Sequence, residues 1–546
     1  MKVSLRDFAL DVRRAFLPLQ AALQFGLGPL VKWALRLSQK DQDYPVRIRI
    51  AIERMGLTYL KLGQYLAMRL DLVPAEVCRE LGKLYESVSP MTFGEVKSVI
   101  ESETGEPLTT LFSQFNPAPV AAASVAQVHE AVTLSNERVA VKVQRLGIEP
   151  VFASDMRNLR RLAAIADALG LFGRISLKEV VDEFAGWTMR ELDFVSEGHT
   201  ASRLRENATT NEVVPRIFWE LTTRRMLTME FVDGVSLIQI IALVEQGKED
   251  IVQARLPGVD LDRAGHNMAY ASLHQLFVSG FFHGDPHPGN IIIRSDSSVA
   301  FVDFGIFGEL TPYQREVLAR YIETLAIGDI SESFGYLSRI ATATEETDLQ
   351  AFEKDAKSIL HRWYDASRNP SSGYEDRSMG RYFGEILSAV RRHRLRMGTD
   401  TLLFWRALNA LDYSALSMSL HFDLLHELRM FFKEIRPTPA ERLKQIIADK
   451  HQAWEVSRLA SSMSQYLNRI LVDLSSGCST SSIGVNVSGE SRSIEVTAIK
   501  SLAAVILLLS SELAASAGNF RPGLRLLFLG VATILFYSSV RRVRAR

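Results

Sequence analysis

The spacing of apolar side chains divides the chain into segments of different predicted structure. Apolar residues recur at helical intervals through residues 41–114, where Pro74 and Pro90 interrupt the pattern. From Phe115 the pattern changes, and the stretches ASVAQVHEAV and RVAVKVQ alternate or are rich in β-branched residues. The polar turn TLSNE separates them, which predicts a strand hairpin. Helical periodicity returns over residues 151–207.

Two more predicted strands and a long helical region follow. The stretches EVVPRIFWEL and RMLTMEFV resemble strands. From Leu237 to about Pro437 the pattern is largely helical, except for a short hairpin formed by NIIIR and SVAFVDFG around the turn SDSS. This order predicts an α+β fold, with a helical extension, a small β-rich lobe and a large helical lobe.

Both ends of the chain carry apolar sequence. Leu5 to Leu37 predicts one or two amphipathic helices, and we favour their packing on the rest of the protein over binding to a membrane surface. Residues 496–517 and 522–540 are apolar stretches, each about long enough to cross a hydrocarbon core of roughly 30 Å. The basic sequence RRVRAR follows, which favours a two-helix transmembrane hairpin with the bulk of the protein in the cytoplasm. Because Glu512 interrupts the first stretch, a buried hairpin of a soluble protein is the alternative.

Composition excludes some classes of function. The 63 basic and 63 acidic side chains give a formal net charge of zero, so the electrostatic footprint of a nucleic-acid-binding protein is absent. Cys78 and Cys478, the two cysteines, lie far apart without metal-ligand spacing, so neither a disulfide framework nor a zinc module is indicated.

The sequence HGDPHPGN at residues 283–290 is the first candidate for chemistry. Asp285 and Asn290 are five residues apart, and Asp303 follows the next predicted hairpin. Such a helix, loop and hairpin bring the three side chains to the same end of the hairpin. Hard cations such as Mg²⁺ prefer oxygen ligands, so we expect Asn290 and Asp303 to hold the metal ion. Asp285 would then orient or deprotonate a hydroxyl group or a water molecule.

A second candidate lies in the predicted strand VAVKV. Lys142 has apolar neighbours on both sides, and a lysine in the middle of a strand is costly to bury unless it is paired. We therefore expect an anion next to the ammonium group of Lys142. Glu191, on a predicted helix, is a candidate partner.

Other interpretations of these motifs have to be weighed. HGDPHPGN alone is compatible with a surface loop, and His283, Asp285 and His287 are compatible with a zinc or iron site. The order of features argues against both: a strand with lysine, a helix with glutamate, the apolar strand ending MEFVDG, then Asp and Asn, then Asp-Phe-Gly. A metal site alone leaves Lys142 and Glu191 unexplained.

This order of parts is that of a protein-kinase-like fold of two lobes. The segment MEFVDG would connect the lobes, with the backbone of Glu230 and Val232 facing an adenine ring. Two departures disfavour an ordinary protein kinase. An alanine-rich stretch stands where a glycine-rich loop is expected, and about 50 residues separate Lys142 from Glu191.

The motifs of the chain, including the alanine-rich stretch, resemble those of a known family. KLGQ, AAAS, VAVKVQ, ELD, HGDPHPGN and VDFG are similar to the motifs of the UbiB family of atypical kinase-like proteins, from about residue 45 to at least residue 310. The resemblance implies an ATP-binding, Mg²⁺-dependent protein required for ubiquinone biosynthesis at the inner face of a bacterial cell membrane. Anionic membrane lipids, quinone precursors and other ubiquinone-biosynthesis proteins would be its partners.

The resemblance also implies roles for further residues. The helical extension with Lys61 and Gln64 would fold over the site as a lid, blocking a protein substrate while leaving room for ATP or a small lipid. Glu191 and Asp193 would serve as lysine partners, so that Lys61 could pair with either. The ATP-binding alanine loop consists of Ala121, Ala122, Ala123, Ser124 and Val125.

Three functional hypotheses remain at this point. The leading one is an ATPase or small-molecule kinase that helps extract or present quinone precursors. A protein kinase and a nucleotide-sensing membrane scaffold without turnover are the others. The predicted parts are amphipathic helices at 1–40, the helical extension at 41–114, the small lobe at 115–232, the large lobe at 233–437, a helix and linker at 438–495, and the transmembrane hairpin at 496–542.

Overall fold

The structure is a computed structural model that describes most of the chain up to residue 435. The described residues are 11, 14, 44–67, 69, 72–84, 90–123, 125–170, 176–344, 347–369, 374–418 and 422–435. Apart from Asp11 and Arg14, the predicted amphipathic helices lie outside them, as do the predicted linker and the predicted hairpin at 496–542. Within the described part of the chain, no helix combines the length and the apolar character needed to span a membrane.

Three short helices form the N-terminal extension. They are α1 Tyr44–Met55, α2 Leu57–Ala67 and α3 Ala75–Leu81. Gly56 separates α1 from α2 with a φ of 97°, a conformation that favours glycine. The helices pack around a small apolar core of their own, formed by Ile52, Tyr59, Val73, Val77, Cys78, Leu81 and Leu84. This core holds α2 firmly, and α2 carries Lys61.

The small lobe combines helices with an antiparallel sheet. Its elements are α4 Phe93–Thr104, α5 Leu108–Leu111, β1 Phe112–Ala122, β2 Ala126–Thr133, β3 Arg138–Gln144, α6 Ile148–Ala168, α7 Leu177–Glu191, α8 Phe194–Glu206, β4 Glu212–Val213 and β5 Met226–Glu230. The sheet has the strand order β1-β2-β3-β5. The predicted hairpin is present as β2 and β3.

β3 lies in the interior of the sheet, with β2 on one side and β5 on the other. Val139, Val141 and Val143 are fully buried in a core shared with α4. Because side chains alternate along a strand, Lys142 points to the opposite face. The strand therefore places Lys142 on the face that also carries the buried Gln144.

One strand of the small lobe is absent from the sequence prediction. β1 contains Pro117 and Pro119, which lack the N–H group that a strand ladder requires. The sheet tolerates them because β1 is an edge strand, and its register with β2 shifts between Phe115 and Pro119.

The stretch EVVPRIFWEL is predicted to be one strand, but most of it is not. Only β4 pairs in a sheet, with β9 Val299–Phe301 of the large lobe, and a single bridge joins Ile217 to Met229. Pro215 interrupts the stretch and cannot donate a ladder hydrogen bond.

Two described residues of the N-terminal segment contact the small lobe. Arg14 lies 2.5 Å from the buried Asp155 of α6, and Arg157 lies 2.6 Å from Asp11. At these two positions the segment packs on the rest of the protein, which is the arrangement favoured by its sequence.

The large lobe is mainly helical, with short hairpins at its edge. In chain order it contains β6 Val235–Ser236, α9 Leu237–Glu245, α10 Glu249–Arg255, α11 Leu261–His274, β7 Phe281–His283, β8 Ile291–Ile293, β9, β10 Phe307–Glu309, α12 Pro312–Ile327, α13 Ile330–Ile340, α14 Leu349–Arg368, α15 Tyr374–Arg377, α16 Met379–Arg392, α17 Thr399–Met418 and α18 Leu424–Ile435. Helix α17 packs against α9, α11, α16 and β10, so it lies at the centre of the lobe and reaches the edge where the hairpins are.

Candidate active site

Lys142 is held between two carboxylates. Its Nζ lies 2.7 Å from Glu197 Oε1 and 3.4 Å from Asp303 Oδ1. The side chain of Glu197 is fully buried and that of Lys142 is 9% exposed, so each buried charge has a partner. Burial alone would lower the pKa of Lys142, but the carboxylates of Asp303 and Glu197 outweigh burial and raise it. Lys142 is therefore a fixed positive charge in the site.

The buried partner of Lys142 in the structure is Glu197, and not the predicted Glu191. Helix α7 ends at Glu191, whose charge acts on Lys142 only weakly and without direct contact. Asp193 caps α8 by accepting hydrogen bonds from backbone N–H groups of its first turn. Glu197 lies one turn inside α8, where its side chain faces β3.

A sequence signal for Glu197 exists and was missed. Asp193 is a typical N-cap residue, so a helix is expected to begin immediately after it. In such a helix Phe194 and Ala201 share a face with Glu197, because they are three residues before it and four residues after it. Both are fully buried, so a glutamate between them needs a buried cation.

Lys61 enters the site from the N-terminal extension. Its Nζ lies 2.5 Å from Glu191 Oε1, with both side chains largely buried. This is one of the two pairings implied for Lys61 by the family resemblance, and Asp193 is not the partner. The Gln64 amide donates to the Leu84 carbonyl at 3.4 Å, within the extension itself. Helix α2 also packs on α6 and α7, so the lysine is held by a docked element.

The sequence HGDPHPGN forms a tight loop around the backbone of Asp285. The carbonyl of Asp285 accepts from the His287 N–H at 2.7 Å and from the Asn290 side-chain amide at 3.2 Å. Its N–H donates to His283 Nδ1 at 3.0 Å. The Asp285 side chain remains 24% exposed, so the loop fixes the residue while its carboxylate stays accessible.

The two histidines of this loop have structural roles. His283 is buried between the rings of Phe301 and Phe304, and burial lowers its pKa, which favours the neutral ring. His287 Nδ1 accepts from the Gly289 N–H at 3.1 Å and caps a short turn. Among the described residues, no three His, Cys, Asp or Glu side chains converge as metal ligands. The arrangement therefore does not favour a zinc or iron site on His283, Asp285 and His287.

Asn290 and Asp303 lie at the open end of the β8–β9 hairpin, just before β8 and just after β9. Ile291 pairs with Phe301, and the Val302 N–H donates to the Asn290 carbonyl at 3.1 Å. The side-chain amide nitrogen of Asn290 is used in the loop, which leaves its oxygen for a cation. Partial desolvation by the surrounding protein would raise the pKa of Asp303, but Lys142 and the Gly305 N–H lower it to about 2, so the group is ionised at neutral pH.

These two side chains fit a magnesium ion. A carboxylate and an amide oxygen are ligands of the type that Mg²⁺ uses, and this ion commonly takes only one or two protein carboxylates together with phosphate oxygens and water. Asp303 is also 42% exposed, so a ligand can reach it. The two predicted metal residues thus lie at the same end of the hairpin, and Asp303 contacts the predicted phosphate-binding lysine.

Arg406 is a site residue that sequence reasoning missed. It lies on α17, and a nitrogen of its guanidinium group is 2.6 Å from Asp285 Oδ1. Nothing in the local sequence of α17 marks Arg406, because the contact depends on the packing of α17 under the hairpins.

The alanine loop and the lobe connector complete the predicted nucleotide site. The Ala123 N–H donates to the Ala126 carbonyl at 2.8 Å, which closes the turn between β1 and β2. Ser124 lies outside the described residues. The Glu230 N–H at the end of β5 donates to the Arg216 carbonyl, while Val232 lies in the irregular segment between β5 and β6. Contact of these backbones with an adenine ring stays a prediction.

Comparison with known proteins identifies relatives in plants and bacteria. The family model of the ABC1 atypical kinase-like domain matches residues 83–334. The chain is 35% identical over 273 residues to Protein ACTIVITY OF BC1 COMPLEX KINASE 7, chloroplastic, of Arabidopsis thaliana, which covers 50% of this chain and 38% of that protein. This chain therefore spans well under half of that relative's length.

Two uncharacterized proteins of Synechocystis are also similar. The identity to slr0889 is 31% over 330 residues, covering 59% of this chain and 79% of that protein. The identity to sll1770 is 29% over 381 residues, covering 69% of this chain and 62% of that protein. A solved structure, the complex of Rv3197 with erythromycin from Mycobacterium tuberculosis, matches with a TM-score of 0.49 and 18% identity, over 69% of this chain and 91% of that chain.

The matched region contains Lys142, Glu197, Asp285, Asn290 and Asp303 and supports the predicted kinase-like α+β fold. The comparisons identify the broader family and not the UbiB proteins in particular. By the family model and by its likeness to a protein of which it covers 79%, the chain belongs to the ABC1 atypical kinase-like family.

Proposed function

We propose that this protein binds ATP with Mg²⁺ and acts as an ATPase or small-molecule kinase in ubiquinone biosynthesis at a membrane. Its family supports an ATP-using, kinase-like enzyme. One observation carries the proposal: Lys142 lies between Glu197 and Asp303, beside the loop that holds Asp285. A lysine held by two carboxylates, one of which is a predicted Mg²⁺ ligand, is suited to hold phosphate groups.

The roles of the residues follow from their positions. Asn290 and Asp303 would hold Mg²⁺, which when bound neutralises phosphate charge and orients the phosphates. Lys142 contacts phosphate oxygens from the small lobe, and Glu197 fixes the lysine from behind. Asp285 lies on the large lobe with an accessible carboxylate, where it can orient an acceptor hydroxyl or a water molecule.

The position of α2 favours a small acceptor over a protein. The ion pair between Lys61 and Glu191 docks α2 at the end of α7. Glu191 lies six residues before Glu197, the buried partner of Lys142. A docked helix at the site restricts the approach of a polypeptide while leaving space for water or a small molecule.

The membrane and pathway assignments rest on sequence. The apolar stretches at 496–517 and 522–540 and the basic C-terminus support an anchor in a bacterial inner membrane, with the bulk of the chain cytoplasmic. The resemblance to UbiB proteins supports quinone precursors, anionic lipids and other biosynthetic proteins as partners.

Phosphate release by the full-length protein in anionic vesicles tests the catalytic proposal. We expect release in the presence of Mg²⁺, stimulation by an isoprenoid phenol, and a loss of about 100-fold or more in Asp285→Asn, the size typical of losing a positioned acid–base group. Asp376→Asn, which alters an exposed aspartate paired with Arg381, is the control and should retain activity. Equal activity of wild type and Asp285→Asn would exclude catalysis at this site, and a deletion strain with normal quinones would exclude the pathway.

A nucleotide-sensing scaffold without turnover is the second candidate. The ion pair between Arg406 and Asp285 favours it, because the guanidinium group contacts one oxygen of the carboxylate and offsets its negative charge. This candidate predicts that wild type and Asp285→Asn bind ATP alike and that neither releases phosphate.

A further inference from the structure

Gln275 is a buried polar side chain that bridges the loop of Asp285 and strand β4. It is 4% exposed and is the first residue of a π-helical turn, Gln275–Ser279, that follows α11. Its side-chain oxygen accepts from the His283 N–H at 2.9 Å, and its side-chain nitrogen donates to Glu212 Oε1 at 2.6 Å. Turns of this kind are rare and frequently occur at functional sites. The roles proposed above for the site residues do not include this side chain.

The first of these contacts leads to Asp285. His283 is the last residue of β7, and its ring lies against Phe301 of β9. The Asp285 N–H donates to His283 Nδ1 at 3.0 Å. Gln275 thus holds the backbone of His283, and the ring of His283 holds the backbone of Asp285. A displacement of Gln275 is therefore passed on to Asp285 through two short hydrogen bonds.

The second contact leads to the metal residues. Glu212 pairs with Val299 between β4 and β9, and Val299 lies four residues before Asp303. The side chain of Glu212 is buried, and its other oxygen accepts from the Thr209 N–H at 3.0 Å. Burial raises the pKa of Glu212, while the hydrogen bonds from Thr209 and Gln275 oppose this shift. Glu212 is thus fixed on the strand pair that leads to Asp303.

We propose that Gln275 is a positioning residue that sets the place of Asp285 relative to the predicted metal residues. This inference rests on the proposed catalytic role of Asp285. An amide suits the position, because it presents an acceptor to the His283 N–H and a donor to Glu212. A carboxylate or an apolar side chain of similar size cannot provide both. A misplacement of about 1 Å can cost about 100-fold in rate, so such a bridge matters for turnover.

Phosphate release and nucleotide binding by the full chain in anionic vesicles, with Mg²⁺, test this role. We expect Gln275→Leu to lower the rate of phosphate release at saturating ATP by about 10-fold or more. Binding of a fluorescent ATP analogue should stay within about 2-fold of wild type, because a misplaced Asp285 affects the chemical step and not ground-state binding.

Asn267→Leu is the matched control. Asn267 lies on α11, donates to the Ser297 carbonyl at 2.8 Å and accepts from the Asn211 side chain at 2.9 Å. It therefore joins the same helix to residues next to β4 and β9, but its listed partners do not include the loop of Asp285. This variant should release phosphate like wild type.

An exchange of the two bonded side chains gives a sharper test. In Glu212→Gln, one N–H group faces another whichever way the two amides turn, and in Gln275→Glu two carboxylates face each other. Each single change should lower phosphate release about 10-fold, since a buried polar group loses its partner. The double variant Glu212→Gln with Gln275→Glu again places a donor opposite an acceptor at each contact. It should recover to within about 3-fold of wild type.

The outcomes separate this inference from the proposed function. Equal losses in Gln275→Leu and Asn267→Leu would indicate a general effect on packing and overturn the inference, as would a double variant no more active than the single ones. If Gln275→Leu does not fold, Gln275→Glu and the double variant decide the question. Absence of phosphate release by the wild-type protein would overturn the proposed function, and the positioning role with it.

Discussion

At Lys142 a positive charge lies in a strand whose opposite face consists of valines with no exposed surface. The cost of burying it is offset by Glu197 at 2.7 Å and Asp303 at 3.4 Å. Burial raises the pKa of Glu197, and the ammonium group of Lys142 only partly opposes this. The three residues are therefore interdependent, and removing any one of them changes the state of the other two.

Replacement of Lys142 should be costly for folding as well as for function. In Lys142→Ala, Glu197 is left buried without its cation, and breaking a buried ion pair in this way typically costs about 3–5 kcal/mol. Urea unfolding should show this loss in the free energy of unfolding. Lys354→Ala, at an exposed position of α14, is the control and should stay within about 0.5 kcal/mol of wild type. Equal effects of the two variants would contradict the arrangement around Lys142.

Asp412 of α17 gives a pH dependence that is independent of the site. It is 3% exposed, and burial raises its pKa to about 7, although its carboxylate accepts from the Met379 N–H at 2.8 Å. A carboxyl group with a raised folded-state pKa stabilises the fold fully below about pH 4, and this stability is lost as pH rises to about 7. The total loss is up to about 4 kcal/mol. Asp412→Asn should remove this loss, so its stability relative to wild type should be greater at pH 8 than at pH 5.

Measurement of unfolding midpoints at the two pH values checks this prediction. Asp376→Asn, at an exposed aspartate paired with Arg381, serves as the control. A constant difference between Asp412→Asn and wild type across this range would show that Asp412 is ionised throughout.

Which residues could be predicted from sequence depends on how local their signal is. Asp285, Asn290 and Asp303 lie within one loop and one hairpin, so their convergence follows from local structure. Glu197 lies six residues after the predicted Glu191, in the next helix, and was missed because the exact start of a helix decides which side chain faces a strand. Arg406 could not be predicted, since it meets Asp285 only through the packing of α17.

The position of helix α2 depends on a close approach at Gly63, in the stretch KLGQ. A Cβ atom at Gly63 would lie 2.4 Å from Leu84 Cδ1 and 3.0 Å from Ile52 Cγ2. The glycine thus lets α2 pack directly on the core of the extension. This packing fixes the position of Lys61 relative to Glu191.

The same substitution should have opposite effects at two helical glycines. Gly63→Ala should destabilise the protein by about 1–3 kcal/mol, because the added methyl group overpacks a filled core. Gly384→Ala, in α16, should stabilise it by about 0.5–1 kcal/mol, since nothing lies within 4 Å of its Cβ position and alanine is the better helix former. Thermal unfolding of the two variants checks the prediction. Stabilisation by both changes would show that α2 does not pack closely at Gly63.

Elements with a regular pattern were predicted better than those containing proline. The β2–β3 and β8–β9 hairpins follow from alternation and turn residues, and the structure contains both. β1 was missed because Pro117 and Pro119 suggest a loop, and only its place at the edge of the sheet makes a strand possible. Position within a sheet is a tertiary property that a single stretch does not reveal.

Across the whole molecule, one glutamate joins the extension, the small lobe and the large lobe. Glu183 of α7 accepts from Arg69, which follows α2, at 2.6 Å and from the hydroxyl of Thr399, the first residue of α17, at 2.7 Å. Burial would raise the pKa of Glu183, but these two hydrogen bonds lower it, so it is ionised at neutral pH. The helix with Lys61 and the helix with Arg406 are thereby tied to the same side chain.

Loss of the Glu183 charge should loosen both helices together. In Glu183→Gln the hydrogen bond from Arg69 is no longer charge-assisted, and a loss of about 1–2 kcal/mol of local stability is expected. Hydrogen–deuterium exchange should therefore become faster, by about 10-fold, in peptides covering both α2 and the first turns of α17. Asp182→Asn, on the neighbouring residue of α7, breaks only an exposed ion pair with Arg160 and should leave exchange in both helices unchanged. Faster exchange in α2 alone would show that the extension and the large lobe are not coupled through Glu183.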